Sequence, residues 1–285
     1  MENSYVDNFL KEIRHLTLSA GKLRAGGPAG SRRSKERGIS LDFHGHREYL
    51  PGDDIRRVDW KAYARTGNFY VREFTAERQM HVSIILDNSA SMDFGSPNKW
   101  RLAQTAALGL GYIALQQGDI LSLRAINHRA QTLLDRGRGK DSFPKLLRQI
   151  RDLKPAGGTA LDALVQPASK GFGMTVLISD LFGAGLPEAL DYLCSGGREV
   201  AVLHLLSPQE TEPGYGEELK LVDKETGETR LVYLDQATRE LYREKARQFT
   251  ANCRNICHRR NVRYVLGGTD TAPVTLVAAA AGLRQ

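Results

Sequence analysis

Residues 81–91 read HVSIILDNSAS. The run from His81 to Asp87 has the length of one strand, is largely apolar, and stops on a carboxylate. A short apolar run bounded by turn residues reads as a strand buried on both faces, the kind found inside parallel sheets. Working outward, the chain alternates. Helical patterns cover 99–117, 142–153, 160–169 and 186–194, with a long polar helix at 236–259 and a last helix at 274–281. Strand-like runs cover 119–127, 130–134, 174–179 (MTVLIS), 199–206 (EVAVLHLL) and 262–266. Strands separated by helices predict an α/β fold with a doubly wound, mostly parallel sheet flanked by helices. A hairpin around KETGET, within 219–234, interrupts that rhythm.

Upstream of residue 81 the character changes. Residues 4–24 predict an amphipathic helix, with Phe9, Leu10, Ile13, Leu16 and Leu23 at roughly helical spacing. The stretch 25–38, AGGPAGSRRSKERG, reads as a basic linker. Residues 39–80 mix charges and aromatics with short β-like pieces such as Phe69–Phe74, a smaller β-rich addition. The division expected is therefore 1–38 (helix and linker), 39–80 (addition) and 81–285 (main domain, with a hairpin insertion near 217–235).

Composition narrows the function classes. The 285 residues are 41% hydrophobic and 26% charged, as in an ordinary globular protein. The net charge of +7 sits mostly in one arm: between Arg14 and Arg37 seven basic residues face the single acid Glu36. A nucleic-acid binder more often spreads its charge over a folded face, so nucleic acid is disfavoured as a partner. Three cysteines cannot make a disulfide framework, and the longest apolar stretch, Val277–Leu283, is too short to span a bilayer. The expectation is a cytoplasmic protein without an integral membrane segment.

The most specific chemistry lies at the ends of the buried strands, where ligands bind in open α/β sheets. Asp87, Ser89 and Ser91 form a D-x-S-x-S, Asp180 ends LISD, and Gly157-Gly158-Thr159 stands before a helical pattern. Two carboxylates and three hydroxyls are a hard, all-oxygen donor set that suits Mg2+, with Mn2+ and Ca2+ as alternatives, and not zinc. The same motif can be read as a capped turn, since Asp and Ser are common N-caps. Asp87/Ser89/Ser91, Thr159 and Asp180 resemble, in order and context, the metal-ion-dependent adhesion site of von Willebrand factor A domains, a Rossmann-like fold. The preceding block, with Arg47-Glu48-Tyr49, Pro51-Gly52-Asp53-Asp54, Arg56, Asp59-Trp60 and Ala64-Arg65, resembles the bacterial domain-of-unknown-function family fifty-eight.

The resemblance implies a divalent-metal-dependent protein-binding module in which hydroxyls leave the cation under-neutralised. An acidic side chain of a client protein then completes the coordination. It also implies a MoxR-type AAA+ ATPase as partner, and adaptor or co-chaperone work in assembling or maturing protein complexes. No P-loop, nucleophile elbow or nucleophile–base pair is present, so an enzyme is not expected. The alternatives are a metal-dependent phosphoester hydrolase, or a nucleic-acid-associated scaffold using the basic arm. Arg47, Asp53, Asp54, Arg56, Asp59, Trp60 and Arg65 read as a salt-bridged clamp, or else as a partner-docking or anion-binding face. His44-Gly45-His46 and Cys253-x-x-x-Cys257-His258 lack further ligands nearby and read as incidental.

Overall fold

The fold comes from a computed structural model. The structure describes residues 3–18, 41–76, 79–164, 173–195, 197–212, 219–222, 229–232 and 235–282. The basic linker and the turn of the 219–234 hairpin lie outside the described residues; the hairpin's strands, β8 (Leu219–Val222) and β9 (Thr229–Val232), pair antiparallel. The chain divides into two compact units, residues 26–79 and the remainder.

The larger unit is built on a six-stranded sheet. Its strands are β3 (His81–Asp87), β4 (Ile120–Ile126), β5 (Ala130–Gly137), β6 (Gly173–Ser179), β7 (Glu199–Leu206) and β10 (Arg263–Gly268), in the order β10-β7-β6-β3-β4-β5. All neighbours pair in parallel except β5, which runs antiparallel along the edge beside β4. This is the expected doubly wound, mostly parallel sheet. β6 is buried at every position and β3 at all but His81, as their unbroken apolar patterns require.

Two cores form, one on each face. On one side α3 (Lys99–Gln116) and α8 (Pro273–Ala281) pack with α4 (Ser142–Asp152). On the other, α5 (Leu186–Ser195) and α7 (Gln236–His258), the latter through Cys253 and Cys257, cover Leu177 and Val202. Helix α3 is buried nearly all round, and Gly109 and Gly111 let neighbours approach it: a Cβ at Gly109 would lie 2.9 Å from Phe9.

That Phe9 belongs to α1 (Asn3–Ile13), which packs on α3 and α8 as part of this unit. Val6, Phe9 and Ile13 are its buried stripe, and each large apolar side chain so covered contributes about 1.5–3 kcal/mol. The helix ends at Ile13, short of the expected 4–24, of which residues 19–24 lie outside the described residues. Leu16 N–H bonds back to the Ile13 carbonyl (2.9 Å), and Leu18 N–H donates to Gln117 Oε1 (2.8 Å) at the end of α3. That anchor draws the backbone out of helical register before residue 18.

In the smaller unit β1 (Leu41–Glu48) and β2 (Tyr70–Ala76) pair antiparallel, with an irregularity between Phe43 and Gly45. Between them lie a 3-10 turn, Ile55–Arg57, and α2 (Trp60–Thr66). Asp59 caps α2, accepting from Lys61 N–H and Ala62 N–H, and Gly67 ends it at φ 74°, a conformation glycine adopts without penalty. The addition is thus a strand pair with a 3-10 turn and one short helix between its strands in sequence.

Candidate metal centre

From β3 the chain moves to β4 on one side, while β6 returns on the other side of β3. The crevice expected of such a sheet therefore opens at the carboxyl ends of β3 and β6. Asp87 is the last residue of β3 and Asp180 directly follows β6. Backbone bonds stitch the surrounding loops together. Ala90 N–H donates to the Gly157 carbonyl and Ala156 N–H to that of Asn88, both at 2.8 Å. A parallel bridge between Ala160 and Ala184 ties the Thr159 loop to the segment after β6. Gly183 has no room for a side chain, because a Cβ there would lie 2.6 Å from the Thr159 carbonyl oxygen. Thr159 precedes a bridge and a 3-10 turn, Leu161–Leu164, where the sequence predicts an α-helix from residue 160. Residues 165–169 of that expected helix lie outside the described residues.

The predicted oxygen donors come together. Asp87 is fully buried; its Oδ1 accepts from Ser89 N–H (2.9 Å), and its Oδ2 accepts from Ser179 Oγ (2.6 Å) and Thr159 Oγ1 (3.4 Å). Ser89 Oγ and Ser91 Oγ lie 3.0 Å apart. Asp180, also fully buried, offers Oδ1 to Phe182 N–H at 3.3 Å. Burial, and then the negative charge of Asp180, push the Asp87 carboxyl up to about 6.

Three residues that sequence reasoning missed complete the site. Lys99 is wholly buried, and its Nζ donates to Asp180 Oδ2 (2.8 Å) and to Glu210 Oε1 (2.5 Å). Glu210 lies on α6 (Pro208–Thr211), and its other oxygen accepts from Ser207 N–H at 2.7 Å. The ammonium also stands 5.3 Å from the Phe182 ring centre and 5.9 Å from that of Phe94. Ser179, beside Asp180, fixes the Asp87 carboxylate. A lysine at the start of an apolar helix looks like a solvated end residue, and nothing local in the sequence pairs it with Glu210, 111 positions away.

The donor chemistry fits a divalent cation. With Asp87, Asp180 and Glu210 ionised, Lys99 offsets only one of three buried or nearly buried negative charges. Among the described residues no three His, Cys, Asp or Glu side chains gather as metal ligands, so hydroxyls must be part of any donor set here. Such a set belongs to a hard ion.

The other singled-out residues lie elsewhere. In the smaller unit Arg47 makes a two-pronged pair with Asp53 (2.6 and 2.7 Å), which holds that carboxyl down at about 2. Asp54 accepts from Arg56 N–H, while Asp59 caps α2 and bonds His46 Nε2 (2.8 Å). Trp60 is exposed beside a stacked Tyr63–Phe69 pair, and Arg65 sits in the last turn of α2. Cys253 and Cys257 are buried, which pushes their thiols up to about 11 and 12. They are inert as ligands at neutral pH. His204 is buried with Nδ1 on Tyr264 Oη (2.6 Å), and burial pulls it down to about 4.

Comparison with known proteins gives the family. Residues 45–252 match the family described as "Protein of unknown function DUF58". An uncharacterized protein of Mycobacterium tuberculosis, Rv1480, is 33% identical over 204 residues, covering 68% of this chain and 64% of that protein. The uncharacterized Mycobacterium bovis protein Mb1516 matches to the same extent, so the chain spans less than two thirds of these curated relatives. Among solved structures, an aerotolerance-related membrane protein from Bacteroides fragilis matches at 19% identity with a TM-score of 0.49, over 70% of this chain and 96% of that one. BatB from Bacteroides thetaiotaomicron matches at 18% identity and TM-score 0.44, over 70% of this chain and 95% of that one. A von Willebrand factor type A protein from Catenulispora acidiphila matches at 18% identity and TM-score 0.40, over 75% and 43%. Among the described residues, no helix is long and apolar enough to cross a membrane.

Proposed function

The chain belongs to the DUF58 family, and on that premise we propose that its larger unit is a divalent-cation-dependent protein-binding module. The observation that carries this reading is the oxygen cluster of Asp87, Ser89, Ser91, Thr159 and Asp180, with Asp87 raised to about 6 by burial and then by the negative charge of Asp180. Mg2+ is the ion proposed, with Mn2+ or Ca2+ as substitutes; the five residues would hold it, and when bound it would supply a positive centre for an acidic side chain of a client. Phe94 and Phe182, 37% and 49% exposed beside Lys99, offer apolar contact to the same client.

The partner proposed is a MoxR-type AAA+ ATPase, with this chain as adaptor or co-chaperone in protein-complex assembly. Its free thiols suit a reducing compartment, and we place the work in the cytoplasm. Because such an ATPase needs Mg2+ itself, the test uses variants instead of chelator. Thr159→Ala and Asp87→Asn should abolish co-purification with a purified MoxR-type ATPase or its client while the far-UV spectrum stays unchanged. Undiminished co-purification by both would overturn the proposal.

One observation favours a second reading, hydrolysis: a carboxyl poised near 6 has the acidity of a general base. Divalent-dependent phosphoesterase turnover that disappears in Asp180→Ala would favour it over binding alone.

A further inference from the structure

We propose that the β10 edge of the central sheet, together with the basic flank of α7 beside it, docks an extended acidic segment of a partner protein as a seventh strand. β10 is the last strand on its side of the sheet, so its outward amides and carbonyls face away from β7. Among the described residues, only the Gly268 carbonyl of this strand is bonded outside the ladder, by Thr271 N–H at 3.0 Å. An edge left in this state is a template for pairing with another chain.

The two edges of the sheet are built differently. On the opposite edge the β4–β5 register shifts twice, and β5 carries Asp135 and Arg136, the latter at φ 48°. Irregularities and charges of this kind protect an edge against further pairing. β10 has no such protection. It pairs with β7 through six consecutive residues without a break, and it holds no proline. Its one charge, Arg263, is spent on Glu199 and on the Ala280 carbonyl (2.8 Å). Leu266, by contrast, stands 43% exposed.

Helix α7 sets the charge of the added strand. Arg247 and Arg254 lie seven residues apart, two turns along one side of the helix. The Arg254 guanidinium stands 5.6 Å from the Tyr264 ring centre, so that side is the one turned toward β10. Among the described residues neither arginine makes an ion pair, and from Lys245 to Arg260 the helix has no acidic residue. The nearest acids do not cancel this. Glu240 and Glu244 sit toward the start of α7, bonded by Gln236 (3.2 Å) and Gln248 (2.8 Å). Asp191 pairs with Arg260 on the flank facing α5, and Asp270 leans over Gly268 at the far end of the strand. Alternate residues of an added strand would face α7 at intervals of about 6.6 Å, against about 10.5 Å between the two arginines, a gap their long side chains close. The residues between them would turn toward the apolar side of the edge, where Val265 and Val274 are only partly buried. A nucleic acid offers phosphates to the arginines but no amide ladder to the strand.

The probe is a fluorescein-labelled octapeptide of alternating glutamate and valine, titrated with the full chain in EDTA. It should bind, and its lysine–valine counterpart should not. Two further peptides carry N-methyl groups, one on every glutamate nitrogen and the other on every valine nitrogen. In a strand whose glutamates face α7, only one of these sets of amides points at β10. One methylated peptide should therefore lose binding at least tenfold while the other keeps it. The double variant Arg247→Gln/Arg254→Gln should bind the unmethylated peptide about tenfold more weakly, the effect of about 1.4 kcal/mol. Lys145→Gln/Arg148→Gln, which takes the same charge from α4, should bind it unchanged. Absence of binding by the glutamate–valine peptide would overturn the proposal, as would equal losses in the two double variants. Equal effects of the two methylations would also overturn it, marking a contact with a polyanion that pairs no strand. With EDTA present, none of these outcomes depends on the metal-centre reading.

Discussion

Lys99 is where the account is most exposed to a single substitution. Its side chain is 0% exposed, and it joins Asp180 (0% exposed) at 2.8 Å to Glu210 (11% exposed) at 2.5 Å. Lys99→Met keeps the stem and deletes only the ammonium. Breaking a buried pair by removing one partner costs about 3–5 kcal/mol, because the remaining charge stays uncompensated. At about 2–4 °C per kcal/mol for a unit of this size, the melting temperature in EDTA should fall by about 6–20 °C. Mg2+ should then recover more stability in the variant than in the parent, because the cation meets two carboxylates no longer held by lysine. The assay is a pair of thermal melts for each protein, with EDTA and with saturating Mg2+. A drop of less than about 1 kcal/mol, or equal Mg2+ shifts in both proteins, would refute the reasoning that Lys99 is the internal counter-ion of this site.

Other outcomes follow from the same geometry. Asp87 has a folded-state pKa of about 6, above its ordinary 3.8, so its contribution opposes folding of the metal-free protein progressively as pH rises from about 4 through 6. In EDTA, Asp87→Asn should therefore be more stable than the parent by up to about 3 kcal/mol at pH 7, with the gap closing toward pH 4 in urea titrations. His204 acts in the opposite sense: lowered to about 4, it costs stability as pH falls from about 6.5 to 4, so only the parent–variant difference isolates Asp87. Mg2+ affinity should weaken as pH falls below about 6, since a ligating carboxylate must be deprotonated, and calorimetry across pH 5–7.5 reads this directly. Gly183→Ala, which alters no donor oxygen, should displace Thr159 and lower Mg2+ affinity; unchanged affinity would mean that the Thr159 hydroxyl is not needed.

Much of the fold was legible because buried parallel strands announce themselves. HVSIILD, MTVLIS and EVAVLHLL need apolar residues on both faces, and each is a central strand. The hard-oxygen donors were legible for a related reason: a polar residue at the end of such a strand has little structural use there. Where local pattern failed, distant contacts decided. Helix α1 stops at Ile13 because Gln117 holds the backbone of Leu18, a bond spanning 99 positions. The segment after Thr159 forms a bridge with Ala184 where periodicity alone predicts an α-helix. Lys99, Glu210 and Ser179 were invisible because each looks ordinary in its own element and acquires meaning only when β3, β6 and the loop after β7 converge.

The central claim is that Asp87, Ser89, Ser91, Thr159 and Asp180 form one divalent-cation site, and titration of the purified chain with Mn2+, followed by electron paramagnetic resonance, tests it most directly. The account predicts one bound Mn2+ per chain, displaced by excess Mg2+ and lost in both Asp87→Asn and Thr159→Ala. Absence of binding by the folded parent, or equal binding by parent and both variants, would contradict it.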